Sequence, residues 1–262
     1  MIRSLSIAKT GLDAQQTQLD VVSNNLANVG TTGFKRSRAV FEDLMYQNLR
    51  QVGGQTSDQT RLPSGLQVGT GVRVVATERI HAQGNLTKTD KPTDVAISGS
   101  GFFQVLMPDG SEAYTRVGNL QIGADGQLTT MGGRPVVGDN GALTVPPGAE
   151  AQVGADGLVT ARGMGDPLTG VGDVGRLKLV NPPTTDLVRG DVGLFRMRDG
   201  LPPAVADPAV RLVSGVIEGS NVNPVEAMVD MIANARRFEM QMKSLKTADE
   251  GAQSANKLLA YG

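Results

Sequence analysis

Residues 5–30 read LSIAKTGLDAQQTQLDVVSNNLANVG, and the spacing of the leucines in this stretch decides the character of the chain. Leu5, Leu12, Leu19 and Leu26 recur every seven residues, and Ala8, Gln15, Val22 and Val29 follow each of them by three. This is a heptad with apolar a and d positions and one polar exception, Gln15. Lys9, Asp13, Gln16, Gln18, Asp20 and the run Ser23-Asn24-Asn25 cover the other faces, which predicts an amphipathic helix with a narrow seam. Gly30, followed by Thr31, Thr32 and Gly33, is its predicted stop. Charged and amide side chains interrupt every apolar run here, so neither a signal-peptide core nor a membrane span is expected.

The far end repeats the plan. Asn223-Pro224-Val225-Glu226 reads as a helix start, with Asn as N-cap, Pro in the first turn where its missing N–H costs nothing, and Glu three places after the cap. Met228, Met231, Ala235, Phe238, Met242 and Leu245 then alternate at spacings of three and four, and Val225, Val229 and Ile232 widen the stripe near its start. The two predicted helices are about 40 and 55 Å long at 1.5 Å per residue. Isolated helices of this kind gain little in water, so the ends are expected to be loose in a single copy and to order when copies stack. An intramolecular hairpin of helices and a coiled-coil dimer stand as alternatives to stacking.

Between the ends the period changes to two. Short β-branched segments at 72–78, 94–98, 102–107, 127–130, 177–180 and 212–215 predict strands, separated by the tight-turn pairs Asp109-Gly110, Asp125-Gly126, Asp156-Gly157 and Asp199-Gly200. Gly123-Ala-Asp-Gly-Gln-Leu-Thr129 is echoed by Gly154-Ala-Asp-Gly-Leu-Val-Thr160, which predicts two similar hairpins. Tyr46–Gly71 is polar and glycine-rich, long for a connection, and reads as a functional loop or a disordered one. The expected division is a helical part at 1–33 plus 221–262, an extended linker at 34–75 and a β-rich part at 76–220.

Composition narrows the chemistry. Across 262 residues there are 34 Gly, no Cys and one His, and the formal net charge is −1. Thiolate zinc sites, disulfides and thiol nucleophiles are thereby excluded, and the balanced charge argues against a nucleic-acid partner. His81 has no nucleophile elbow near it and reads as an exposed histidine at a strand end. Gly69-Thr-Gly71 and Gly99-Ser-Gly101 lack the later Gly or Lys-Ser/Thr of a phosphate loop and read as turns. Lys35, Arg36 and Arg38 read as a solvated or salt-bridging basic face. No catalytic residue, metal, cofactor or small-molecule substrate is expected.

Two motifs carry a family resemblance. Ser23-Asn24-Asn25-Leu26 followed by Ala27-Asn28-Val-Gly-Thr31-Thr32-Gly33-Phe34-Lys35, with Glu218-Gly-Ser220-Asn221-Val-Asn223 at the other end, resembles the bacterial flagellar axial proteins of the rod and hook. The likeness spans essentially the whole chain. Residues 1 to about 110, including Ile7–Gln16, Arg38–Leu44 and the Tyr46–Gly71 extension, are similar to distal-rod members. Val174–Val180, Arg189–Arg196 and Ala235–Lys243 are more similar to proximal-rod members, so the chain reads as a hybrid of the two.

The resemblance implies a mainly β chain with long terminal α-helices, the N- and C-terminal helices paired as a coiled coil and a β-rich middle outside them. It further implies a non-enzymatic subunit of a helical homopolymer that transmits torque in the periplasm-spanning rod of the basal body, exported without a cleaved signal through the flagellar type III apparatus. Its neighbours would be rod and hook subunits and possibly the bushing of L- and P-rings. The self-assembly seam would be Leu5, Leu12, Leu19, Val22, Leu26, Met228, Met231, Ile232, Phe238, Met242 and Leu245. A secreted β-rich adhesin, or a phage-tail-like module with trimerising helices, is the reading from another class.

Overall fold

The computed structural model describes residues 2–50, 55–57, 60–61, 66–163, 172–190 and 193–260. The chain divides into two compact units, one made of Met1–Ala27, Ser37–Ile80 and Asn223–Gly262, the other of Asn28–Arg36 and His81–Val222.

The first unit holds the α-helices found among the described residues, α1 at Ile2–Ala27 and α2 at Pro224–Ala260. The cap predicted for α2 is present: Asn223 Oδ1 accepts the backbone N–H groups of Val225 and Glu226 at 3.1 and 3.4 Å. Ser37–Asp43 and Val72–Arg79 form an antiparallel ladder that pairs Arg38 with Glu78 and Glu42 with Arg73, so opposite charges stand directly across from each other. Their side chains close exposed salt bridges of 2.7 and 2.8 Å. The end of α1 is tied to this ladder by Asn25, whose Nδ2 donates to the Ser37 carbonyl while its Oδ1 accepts the Ser37 N–H, both at 2.8 Å. At the far end of the ladder Gly71 has φ +119°, and a Cβ there would stand 2.2 Å from the Thr10 hydroxyl of α1. Glycine is what lets the helix lie against the strand at this point.

The expected coiled-coil pairing of the two helices is not what the structure shows. They touch, with Gln241 of α2 lying over Gly11 of α1. A knobs-into-holes seam would take its a and d side chains out of water. Here Leu5, Met228, Ile232 and Met242 are 44–56% exposed, and of the eleven seam residues only Val22 is buried. Part of the reason is polar: the side-chain oxygens of Gln15, a seam position, and of Gln241 are buried without a hydrogen-bond partner among the described residues. α1 is also held to the strand ladder, by Asn25 at Ser37 and by Thr10, whose hydroxyl accepts the Val72 N–H at 3.4 Å. The fold is mainly β with a helix at each end.

Tyr46–Gly71 also differs from the loop reading. Gln47–Arg50 pairs antiparallel with Leu66–Val68, and Gln55–Ser57 with Thr60–Arg61. The remaining positions of this extension, 51–54, 58–59 and 62–65, lie outside the described residues.

The second unit is the β body. Its five-stranded antiparallel sheet runs in the order Leu179–Val180, Phe102–Leu106, Glu112–Thr115, Leu194–Met197, Leu187–Arg189. Ala149–Val153, Leu158–Gly163 and Gly172–Arg176 form a second sheet. The main core is built from small branched residues such as Val95, Ile97, Val105, Leu128, Val136 and Val159. Adjacent residues of one strand serve different clusters: Phe103 points into this core, Phe102 into a second one with Tyr114, Val180 and Phe195.

The twin hairpins are matched bond for bond. Gly123 N–H donates to the Gln127 carbonyl at 2.8 Å and Gly126 N–H to the Gly123 carbonyl at 3.0 Å, and Gly154 and Gly157 make the same pair of bonds at 2.8 and 3.0 Å. In both, the second glycine has positive φ and the aspartate does not, so these are three-residue turns with a bulge. Asp109-Gly110 joins two paired strands as expected; Asp199-Gly200 is a turn that joins none.

Candidate functional site

The two motif stretches, from opposite ends of the chain, meet inside the β body. Thr31 donates its N–H to Asn28 at 3.2 Å and its hydroxyl to the Asn28 side chain at 3.2 Å, tightening the turn after α1. Gly33 then has φ +68° and presses so close that a Cβ would stand 2.8 Å from the Arg116 carbonyl carbon. Its N–H donates to the Glu218 carbonyl at 2.7 Å. Phe34 is buried beside it, and its carbonyl accepts the Asn221 N–H at 3.3 Å. Asn221 replies with its side chain: Oδ1 accepts the Arg36 N–H at 2.7 Å, and Nδ2 donates to the Ala82 carbonyl at 3.0 Å. Ser220 Oγ accepts the Val222 N–H at 3.2 Å.

At the centre lies a buried ionic junction. Lys35 and Glu218 are both 0% exposed, and Lys35 Nζ donates to Glu218 Oε1 at 2.5 Å. Arg116, 3% exposed, holds the other carboxylate oxygen through Nη1 at 3.1 Å. Of the surplus donors, Lys35 Nζ reaches the Ala82 carbonyl at 2.8 Å and Arg116 Nη2 the Gly99 carbonyl at 2.6 Å, while Arg116 Nε is buried without a hydrogen-bond partner among the described residues. Glu218 Oε1 accepts a further N–H from Gly84 at 2.9 Å. Burial pulls the Lys35 ammonium below its ordinary value against the raising effect of the Glu218 carboxylate, and lowers Arg116 in the same sense. Two cations share one carboxylate away from water, and the Ala82 and Gly99 carbonyl dipoles take up part of the remainder.

Glu218 and Lys35 both belong to the two motifs, but Lys35, read from the sequence as part of a solvated or salt-bridging basic face, is buried, and no other described lysine is as deeply buried. Arg38 does salt-bridge at the surface as expected. Arg116 carried no signal at all, since nothing in its neighbours marks it as a partner for a residue near either end. His81, expected exposed, is half-buried with its ring 5.2 Å from Phe195 and 5.8 Å from Phe102, centroid to centroid. Among the described residues no cluster of acidic or His side chains could hold a metal. The junction ties residues near both ends of the chain into the β body.

The predicted assembly residues sit in the helical unit and are not gathered into one buried seam. Leu12, Leu19, Leu26, Met231, Phe238 and Leu245 are half-buried. Leu5 and Leu12 of α1 and Met242 and Leu245 of α2 line a groove of about 870 Å³ between the helices. Lys9, Lys243 and Lys246 stand on its rim with one carboxylate, Asp249. At the other end of α2 the stripe Val225, Met228, Val229, Ile232 is exposed. Of the motif residues, Asn24 and Thr32 stay at the surface of the turn region, exposed and half-buried respectively.

Comparison with known proteins places these features. Residues 5–35 match the family described as flagella basal body rod protein, 96–161 the D1 domain of the flagellar hook protein FlgE/F/G, and 213–258 the C-terminal part of the flagellar basal body rod FlgEFG protein. The chain is similar to the flagellar basal-body rod protein FlgG of Buchnera aphidicola subsp. Schizaphis graminum, with 46% identity over 98% of this chain and 100% of that one. It is 43% identical to FlgF of Salmonella typhimurium over 94% of this chain and 95% of that one. FlgG of Agrobacterium fabrum is 38% identical over 98% and 100%.

Proposed function

The chain belongs to the family of flagellar basal-body rod proteins and is a structural protein of the rod, and from that premise we propose that it is a distal-rod subunit polymerising into a rigid, torque-transmitting tube. The observation that carries the polymer reading is the half-open seam. Leu5, Met228, Ile232 and Met242 are 44–56% exposed in a single copy, and apolar stripes of that extent call for cover. Neighbouring copies supply it. The seam residues from Leu5 to Leu26 and from Met228 to Leu245 are the contact set, and the motif residues from Asn24 to Lys35 and from Ser220 to Asn223 set the chain on either side of the helices. In the same reading the ordering of the helices is completed on stacking, the Tyr46–Gly71 extension stiffens the tube, and the chain catalyses nothing.

Similarity to FlgG over the full length of those relatives supports the distal position. The FlgF likeness at 43% supports proximal rod as the second reading, or a subunit with features of both. Adjacent rod and hook subunits are the proposed neighbours, with the L- and P-ring bushing around the tube and the type III apparatus as the export route without a cleaved signal. Expression in strains lacking either rod protein decides the position: restored motility in the distal-rod deletion alone is expected, and restoration of the proximal-rod deletion alone would reverse the assignment. Leu19→Asp or Phe238→Asp is expected to abolish assembly, seen by sedimentation, while circular dichroism shows the β body intact; unchanged polymers would refute the contact set.

A further inference from the structure

The second helix concentrates one kind of chemistry. With no cysteine and no tryptophan in the chain, the thioether sulfur of methionine is its most readily oxidised side-chain group. Four of the ten methionines, Met228, Met231, Met240 and Met242, fall within the 37 residues of α2. Met228 is 52% exposed, Met240 63% and Met242 45%, and Met231 is half-buried. Met240 lies eleven residues beyond Val229 and so on the same face of the helix. The β body treats sulfur differently at its centre, where Met107 is 6% exposed and belongs to the main core. A dissolved oxidant therefore reaches the sulfurs of α2 in a single copy and not that of Met107.

Met228, Met231 and Met242 also belong to the proposed contact set. An unbranched thioether adapts to a neighbour that is not perfectly matched, but it is an apolar group only while its sulfur is reduced. A sulfoxide oxygen is a hydrogen-bond acceptor. On an open helix face it is hydrated, and when a neighbour covers that face the hydration has to be given up. One added oxygen thus weighs little in a single copy and much in the contact.

We propose that the α2 methionines are an oxidation site that switches assembly: as thioethers they admit the next copy, and as sulfoxides they turn it away. This rests on the reading of the chain as a polymerising subunit and adds a control to it. The co-reactant is a peroxide. A sulfur lone pair attacks one peroxide oxygen, the S–O bond forms as the O–O bond breaks, and hydrogen peroxide is reduced to water while the thioether becomes a sulfoxide. Methionine sulfoxide reductases reverse the step with a dithiol, which is oxidised to a disulfide as the oxygen leaves in water. The switch acts before addition, because a sulfur covered by a neighbouring copy is closed to peroxide.

The test treats the full chain with hydrogen peroxide at a dose that peptide mass mapping shows to modify Met228 and Met242 and to spare Met107. The concentration needed for polymerisation is expected to rise about tenfold, with the circular dichroism spectrum unchanged, and to return after incubation with both sulfoxide reductases and dithiothreitol. A variant with Met228, Met231, Met240 and Met242 all replaced by leucine is expected to polymerise at one concentration before and after peroxide, whatever that concentration is. Met131→Leu, at a methionine of the β body that is 62% exposed, is expected to keep the tenfold rise. Preformed polymers are expected to be oxidised at Met131 and spared at Met228 and Met242. Oxidised copies that polymerise as readily as reduced ones, or a tenfold rise that persists in the four-leucine variant, overturn the switch and leave the rod-subunit reading standing. Failure of the unaltered chain to polymerise at any concentration overturns both.

Discussion

The β body and the helical unit handle apolar surface in opposite ways. In the body, Val95, Phe103, Val105, Leu128 and Val136 are sealed from water, and even a lysine, an arginine and a glutamate are buried because each finds partners. In the helical unit, Val225, Val229 and Ile232 are more than half exposed although nothing about their chemistry favours water. A chain that can bury three charges has no difficulty burying valines where its own surface allows. The difference teaches that the junction's ion pairs are closed within one copy, whereas the stripe leaves apolar side chains open to water, which is why it belongs to the proposed contact set.

The contrast can be broken first at Glu218. Glu218→Gln leaves Lys35 and Arg116 buried without a counter-charge and is expected to cost about 3–5 kcal/mol, read as a lower denaturant midpoint for the β body. Lys35→Met sharpens the same point with a smaller effect. Each acceptor of Lys35 keeps another donor, since Gly84 still donates to Glu218 and Asn221 to Ala82, and Glu218 and Arg116 then balance one to one. A change within about 1 kcal/mol at neutral pH is expected. The two proteins should also differ in alkali. Burial holds Lys35 below 10.5, so between its lowered folded-state value and 10.5 the unfolded chain binds the proton more tightly, and native stability climbs with pH across that window. Lys35→Met removes that climb, which pH-dependent denaturant titration of both proteins measures. Smallest of all is Ile232→Ser, expected to change the stability of dilute single copies by no more than about 0.5 kcal/mol while weakening assembly; a larger loss would mean the stripe is covered within the copy.

Local signals in the sequence were sufficient where the physics is local. Asn223-Pro224 marks the start of α2 because capping needs only the next turn, and the repeated Gly-Ala-Asp-Gly marks two hairpins because a turn closes on itself. The site was legible as two motifs but not as a junction. A lysine reads as solvated until its counter-charge is known, and that carboxylate is 183 residues away. The heptad misled for a related reason: a and d positions announce that a face will be covered, not by which helix. The ladder between Gln47–Arg50 and Leu66–Val68 is not legible in the sequence because its polar residues give weak period-two contrast.

The distance between Lys35 and Glu218 along the chain also sets an order of events. Closing a loop of that length is entropically costly, and the partner lies close to the last helix. A polypeptide cut short before Glu218 has no anion to offer Lys35, whose ammonium then stays hydrated, and Gly33 has no carbonyl to receive its N–H. The bonds that hold Gly33 and Lys35 therefore form only when the stretch around Glu218 is present.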